Sequence, residues 1–109
     1  MDRSKKYLSD ILLAIELIED FTVGVDFYNY NSDRKTQSAV ERQLAIVGEA
    51  LNQFRKCETE FEIKNDKQIV AFRNRLVHAY DSLDNSIVWA ILDRHIKPLK
   101  SEVEHLLKL

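Results

Sequence analysis

The chain of 109 residues is long enough to bury one hydrophobic core and too short for a second, so we expect a single domain over residues 1–109. Apolar residues make up 45% and charged residues 31%, with only two glycines and one proline, which favours an all-α protein over a turn-rich β-fold. The formal net charge of −2 excludes broad electrostatic capture of nucleic acid, so any contact with RNA must use a local patch.

The cellular compartment is constrained by what the sequence does not contain. Cys57 is the only cysteine, which excludes an intramolecular disulfide, and a lone cysteine is by default a buried or inert thiol. The chain shows neither the segments of a signal peptide nor an uncharged apolar run long enough for a membrane. We therefore expect a cytoplasmic protein without membrane contact.

The first predicted helix is KKYLSDILLAIELIEDFTVG, and Gly24 is its expected C-terminal stop. One stripe of this helix is apolar at helical spacing: Leu8, Ile11, Leu12, Ile15 and Ile18. The next stretch, VDFYNYNSD, contains aromatic residues together with Asn, Ser and Asp, which favour turns and helix N-caps. It is expected to be an ordered connection.

The second predicted helix begins near Ser32 or Asp33 and ends at about Lys56. Apolar residues at alternating steps of four and three form its packing seam: Val40, Leu44, Val47, Leu51 and Phe54. Gly48 within this helix costs roughly 1 kcal/mol relative to alanine, so we expect another helix to approach closely there.

Two further helices are predicted in the C-terminal half. The third has Asn65 or Asp66 as its N-cap, and the fourth has Asp84 or Asn85. Pro98 lies within the fourth helix, where it lacks an N–H and crowds the carbonyl of the preceding turn. A kink or break is therefore expected near Pro98.

The third helix carries the sequence RNRLVHAY, residues 73–80, which concentrates polar groups suited to chemistry. On an ideal helix Arg73 and Tyr80 lie within about 20° of each other, whereas His78 is about 140° around from Arg73. Asn74 and His78 are neighbours one turn apart. Arg73 and His78 can therefore act together only in a cleft between helices or across a two-fold dimer interface.

These residue types suit cleavage of a phosphodiester. The guanidinium of Arg73 can grip a phosphate and stabilise the additional negative charge of its transition state. The imidazole of His78 can act as a general base on a ribose 2′-hydroxyl or as a general acid toward the leaving oxygen. Asn74 can orient His78 or contact a phosphate oxygen, and the hydroxyl of Tyr80 can bind a phosphate or be modified.

A structural interpretation of the same residues stays open. His and Arg are favoured near a helix C-terminus by the helix dipole, which would explain His78 without chemistry. Arg75 is interpreted either as a solvated surface charge or as a further contact to RNA phosphate. Tyr80 alone is typical of a core aromatic with its hydroxyl at the surface.

Other candidate sites are weaker. His95 and His105 are ten residues apart and have no neighbouring cysteine, so their spacing does not predict a metal site. Glu41 and Glu49 lie near one face of the second helix and are usually solvated, although Glu49 beside Gly48 could pair with an arginine. No glycine-rich phosphate loop is found. Neither a metal ion nor another cofactor is therefore expected.

Several segments resemble the HepT-like family of the HEPN superfamily, which comprises helical ribonuclease toxins. The resemblance rests on Arg73, four intervening residues, His78, one residue and Tyr80. It extends to AVERQLAIVGEALNQF in the second helix, to IVWAILDRHIKPL in the last helix and to DFYNYNSD between the first two. Ala79 stands where the family commonly has glycine.

The resemblance implies an up-and-down bundle of four or five helices and a homodimer whose two motifs share a cleft. It implies a metal-independent endoribonuclease, with Arg73 and His78 catalytic and Asn74 assisting. Tyr80 matches the position at which a partner antitoxin, a minimal nucleotidyltransferase, silences such type VII toxins by AMPylation. The alternative function is a non-catalytic partner subunit of a nucleotidyltransferase that binds a substrate or nucleotide without cutting RNA.

Overall fold

The computed structural model describes residues 3–58, 60–64, 66–78 and 84–109, without the side chains of residues 77 and 78. The described residues form an all-α bundle, as predicted. Six α-helices follow one another, and a short π-helical turn, Leu92–Ile96, joins the last two: α1 (Arg3–Thr22), α2 (Phe27–Ser32), α3 (Arg34–Cys57), α4 (Asp66–His78), α5 (Asn85–Ile91) and α6 (Lys97–Leu107).

The helix ends follow the signals in the sequence. α1 ends at Thr22, and Gly24 adopts a left-handed φ of 70°, which confirms it as the stop. Asp33 caps α3 by accepting a hydrogen bond from the N–H of Thr36, and Asp84 caps α5 in the same way from Ser86. α4 begins at Asp66, and Asn65, the other cap considered for it, lies outside the described residues.

The predicted ordered connection contains a helix of its own. Asp26 accepts a hydrogen bond from the N–H of Asn29 at 2.9 Å and thereby caps the six-residue helix α2. Gln37 of α3 donates to the carbonyl oxygen of Tyr30 at 2.8 Å, so α2 is tied directly to the next helix. The segment was too short for its helical periodicity to be detected in the sequence.

The long helices pack antiparallel to their neighbours. α4 runs against α3, since Glu49 and Arg55 of α3 form ion pairs with Arg73 and Asp66 of α4, in reversed order along the two helices. α6 runs against α1, since Lys100 near its start pairs with Glu19 near the end of α1. The predicted up-and-down arrangement is consistent with both pairings.

The interruption near Pro98 lies slightly before the proline. The α-helical pattern widens to a π-helical turn over Leu92–Ile96, and Pro98 then occupies the first turn of α6. Because Pro98 cannot donate a backbone hydrogen bond and its ring crowds the carbonyl of Arg94, the helix accommodates it through this wider turn. Residues 85–107 therefore continue as one interrupted helical segment.

The core is built from the predicted apolar stripes of α1 and α3. Ile11 and Leu51 are fully buried, as are Val88 of α5 and Leu99 of α6. Tyr30 of α2 is also fully buried, and its ring lies 5.0 Å from that of Trp89 between centroids. The aromatic pair thus anchors the short helix α2 against α5.

Burial around Tyr30 also affects two titratable groups. Burial raises the pKa of the Tyr30 hydroxyl far above its ordinary value of 10.0, and the negative charge of Glu41 raises it further. Burial likewise raises the pKa of the Glu41 carboxyl above its ordinary value of 4.5. A raised pKa means that the folded state disfavours the ionised form of Glu41. Ionisation of Glu41 as the pH rises therefore lowers the free energy of unfolding.

Glu41→Gln is therefore expected to make the protein more stable at neutral pH, by about 0.5 kcal/mol or less after allowance for solvent screening. The two proteins should become equally stable as the pH falls below 4.5 and Glu41 is protonated. Urea unfolding of both proteins between pH 4 and 7 measures the difference. A difference that is the same at every pH would contradict this account.

Candidate active site

The helix α4 carries residues 73–78 of the RNRLVHAY motif, and its packing decides where the described side chains of the motif point. Ile69 and Phe72 are buried against the core, and Arg73 beside them is half-buried on the side that faces α3. Asn74 and Arg75, the next two residues, are exposed. The helix therefore holds the predicted phosphate-binding arginine in a packed position and leaves its two polar neighbours at the surface.

Gly48 makes this placement of Arg73 possible. A Cβ atom at position 48 would clash with the Cβ of Arg73, and it would lie 2.6 Å from the Arg73 Cγ and 3.4 Å from the carbonyl oxygen of Ile69. The missing side chain lets α4 approach α3 closely at the level of the arginine. The close helix approach predicted from Gly48 is confirmed, and the neighbour is the candidate catalytic residue itself.

The Arg73 guanidinium has two partners on different helices. Its Nη2 atom forms an ion pair with Oε2 of Glu49 at 2.7 Å, and its Nη1 atom donates a hydrogen bond to Oδ1 of Asn74 at 3.0 Å. Its Nε atom is buried and has no hydrogen-bond partner among the described residues. The guanidinium is thus held in place while part of its donor capacity is unused.

The ion pair lies at the edge of solvent. The Arg73 side chain is 25% exposed and the Glu49 side chain is 44% exposed, so an anion can reach the pair from outside. A phosphate arriving there would compete with Glu49 for Nη2. Gln53 donates to Oε1 of Glu49 at 3.1 Å, which fixes the carboxylate from the other side.

Asn74 contacts Arg73, whereas the sequence had suggested His78 or a phosphate as its partner. The backbone of α4 ends at His78, so Arg73 and His78 belong to one helix, as predicted. The His78 side chain and the whole of Tyr80 lie outside the described residues. The roles predicted for His78 and Tyr80, like those of Asn74 and Arg75, stay predictions.

A groove of about 590 Å³ lies between α1 and α3, and Arg73 is the residue of α4 that lines it. Its apolar wall includes Leu13, Leu17 and Ile46, and the exposed guanidinium of Arg42 stands in the same groove. Two arginines therefore face one concave surface. Asp10 and Glu49 line the same groove, so its formal charges balance and the two arginines do not make it a basic patch.

The remaining candidate residues form no second chemical centre. Over the described ranges, no three His, Cys, Asp or Glu side chains come close enough to hold a metal ion. Cys57 is exposed at the end of α3, so of the two alternatives considered for it, a buried or an inert thiol, the buried one is wrong. His95 is half-buried and His105 is exposed. No described helix is long and apolar enough to cross a membrane.

Comparison with known proteins identifies the class of protein. The sequence model of the family described as ribonuclease HepT-like matches residues 11–106, from within α1 to the last turn of α6. The chain belongs to the HepT-like ribonuclease family. The resemblance found in the motif and in the flanking helices is thereby confirmed at the level of the family.

The individual relatives match over nearly their whole lengths. A protein of Thermococcus cleftensis named as a probable ribonuclease HepT is 40% identical, over 99% of this chain and 100% of the relative. A candidate RNase of Methanocaldococcus jannaschii is 33% identical, over 92% of this chain and 93% of its own length. Another, of Caldanaerobacter subterraneus, is 29% identical over 99% and 97%. No solved structure gives a significant match.

Proposed function

We propose that this chain is an endoribonuclease that cuts RNA without a metal ion, in a cleft shared by two copies of the chain. The observation that carries the proposal is the match to the ribonuclease HepT-like family over residues 11–106. The relatives named as ribonucleases support it. The geometry adds a half-buried Arg73 whose guanidinium is positioned by Glu49 and Asn74 beside a groove.

In the proposed reaction the ribose 2′-oxygen attacks the adjacent phosphorus, and His78 takes the proton of the 2′-hydroxyl. The bond between phosphorus and the 5′-oxygen breaks, and the 5′-oxygen receives a proton from a second imidazole or from water. The products are a 2′,3′-cyclic phosphate and a 5′-hydroxyl. Arg73 stabilises the negative charge that develops on the non-bridging oxygens.

A second copy of the chain supplies what one helix lacks. Positions 73 and 78 are about 140° apart around an ideal helix, so one helix does not bring Arg73 and His78 to the same face. A two-fold axis near α4 would place His78 of one copy beside Arg73 of its partner, and it would supply two imidazoles for the two proton transfers. The exposed Asn74 and Arg75 would then contact neighbouring phosphates of the RNA.

The function is tested with purified, unmodified protein and a mixed-sequence single-stranded RNA in the presence of excess EDTA. We expect cleavage that EDTA does not reduce and products that end in a 2′,3′-cyclic phosphate. Cleavage that appears only when a divalent metal ion is added would contradict the metal-independent mechanism. Stable binding of a nucleotidyltransferase without any cleavage would instead favour the alternative, a non-catalytic partner subunit.

We further propose that the chain is the toxin of a toxin–antitoxin pair and that a minimal nucleotidyltransferase silences it by AMPylation of Tyr80. The proposal rests on the position of Tyr80 two residues after His78, which matches the family motif. Tyr80 follows Arg73 by seven residues in the sequence, about two turns of an ideal helix, so a phosphate added there would bring negative charge toward the guanidinium and would exclude RNA from it.

Intact-mass measurement after co-expression with a minimal nucleotidyltransferase tests the modification. We expect a mass increase of one or more adenylyl groups and a loss of RNA cleavage in the modified protein. Tyr80→Phe should show neither change. The same mass increase in the Tyr80→Phe protein would place the modification on another residue.

A further inference from the structure

A second groove, which we call the tryptophan groove, lies between α2 and residues 85–97. Its lining includes the rings of Phe27 and Trp89 and the cationic side chains of Arg94 and Lys97. No residue is shared between its lining and that of the groove beside Arg73. Its volume of about 690 Å³ is within the range of small-molecule sites.

The aromatic part of the tryptophan groove is held in a fixed orientation. The Trp89 ring packs at 5.0 Å against the fully buried Tyr30, and Phe27 lies 6.2 Å from Trp89 at an interplanar angle of 59°. Phe27 is 37% exposed, so the aromatic cluster reaches from the core to solvent. A rigid indole presented in a groove is a stacking platform for a planar ring.

The cationic part of the groove is available for an anion. Arg94 is exposed and forms no ion pair with any residue that the structure describes. Lys97 pairs with Asp93 at 3.1 Å, but both side chains are largely exposed, at 75% and 68%. Such a surface pair is weak and exchanges readily for a phosphate, although Asp93 reduces the local positive potential.

We propose that the tryptophan groove binds single-stranded RNA, with a nucleobase stacked on Trp89 beside Phe27 and its phosphate held by Arg94 and Lys97. The choice of RNA rests on the proposed ribonuclease function. The groove is an accessory site that binds substrate away from Arg73 and performs no chemistry itself.

The combination of groups favours a nucleotide over a protein partner. A nucleotide carries both a flat aromatic ring and a negative charge, and Trp89 and Arg94 both line the groove. An apolar protein surface would cover Arg94 and remove it from water without supplying an anion, which is costly. Thr22 and Ser86 add hydroxyl groups that can bind ribose.

The test uses the fact that Trp89 is the only tryptophan of the chain, so fluorescence excited selectively in tryptophan reports on this groove. The full-length protein carrying His78→Ala, which leaves RNA intact, is titrated with a ten-nucleotide single-stranded RNA of mixed sequence. We expect quenching of the Trp89 emission on binding. Binding without any change in this emission would overturn the proposal.

Two variants measure the contributions of the stacking and of the charge in the same background, with fluorescently labelled RNA followed by anisotropy. Trp89→Leu is expected to weaken RNA binding about 5- to 150-fold, the range for loss of one stacked base. Arg94→Gln should lower the slope of log affinity against log salt by about 0.7, as for one lost phosphate contact on a single strand. Arg3→Gln removes the same charge from the exposed start of α1 and should change the slope less.

Because Trp89→Leu removes an aromatic contact with Tyr30, circular dichroism must show that the variant is folded, and Arg94→Gln supplies a test that does not disturb the core. Equal slopes for Arg94→Gln and Arg3→Gln would overturn the proposal. Unchanged RNA affinity in both groove variants, together with weaker binding of a nucleotidyltransferase, would also overturn the proposal. The groove would then be a protein interface. The wild-type protein could fail to cut RNA and still bind RNA in a way that depends on Trp89 and Arg94. That result would support this inference and contradict only the proposed function.

Discussion

Arg73→Ala is expected to lower kcat/KM for RNA cleavage by about 10²- to 10³-fold while the bundle stays folded, as is typical when one donor to a developing oxyanion is removed. The loss should appear mainly in kcat, because the additional phosphate charge exists only in the transition state. Stability should fall by no more than about 1 kcal/mol, because the ion pair with Glu49 is partly exposed and therefore weak. Single-turnover cleavage and urea unfolding measure the two effects separately.

The chain offers a matched control for this variant. Arg55 of α3 forms an ion pair with Asp66 of α4 at 3.3 Å, so Arg55→Ala also removes a bridge between these two helices. It should leave cleavage unchanged because Arg55 does not line the groove beside Arg73. Arg73→Lys should recover only part of the activity, since an ammonium group cannot grip a phosphate bidentately. Comparable activity losses for Arg55→Ala and Arg73→Ala would show that the effect is one of packing.

The shared cleft can be tested by combining two inactive chains. A mixed dimer of Arg73→Ala and His78→Ala chains contains one intact arginine and one intact histidine, on different copies. If Arg73 acts with His78 of the partner, such a dimer should regain cleavage that neither parent dimer shows. Failure to regain any cleavage would contradict the interpretation that the two residues meet across the two-fold axis.

The sequence predicted those parts of the fold that depend on local chemistry. Gly24 and the caps Asp33 and Asp84 act within one turn of their own helices, so their side chains and backbone preferences are sufficient to place the helix ends. Gly48 was informative for a different reason. A residue that weakens a long helix is tolerated when something packs against it, and here the packed residue is Arg73.

The parts that the sequence did not predict depend on contacts between distant segments. The aromatic cluster of the tryptophan groove joins Phe27 and Tyr30 of α2 to Trp89 of α5, which are about sixty residues apart, and nothing local indicates that they meet. The partner of Asn74 depended on which way the Arg73 side chain turned, and the ion pair with Glu49 fixed that direction. The sequence allows Glu49 to pair with an arginine. The antiparallel packing of α3 and α4 determines that this arginine is Arg73.

Gly48→Ala should therefore reduce both stability and activity, although alanine is the better helix former. The intrinsic gain in helix propensity is about 1 kcal/mol. Against it, the new Cβ would clash with the Cβ of Arg73, which is fixed to the backbone of α4 and cannot rotate away. Overpacking of this kind costs about 1–3 kcal/mol and here the helices themselves must separate, so we expect a net loss of about 1–2 kcal/mol. Thermal unfolding should show a Tm lower by about 4–16 °C.

The second glycine provides the comparison that separates stability from catalysis. Gly24→Ala places a side chain at a φ of 70° but in open space, so it should cost about 1–2 kcal/mol in backbone strain without moving Arg73. The two variants should then have similar stability, and only Gly48→Ala should lose RNA cleavage.

Arg73→Gly would relieve the clash, so the stability losses of Gly48→Ala and Arg73→Gly should be less than additive in the double variant. Strict additivity would mean that the helices do not meet at these two positions.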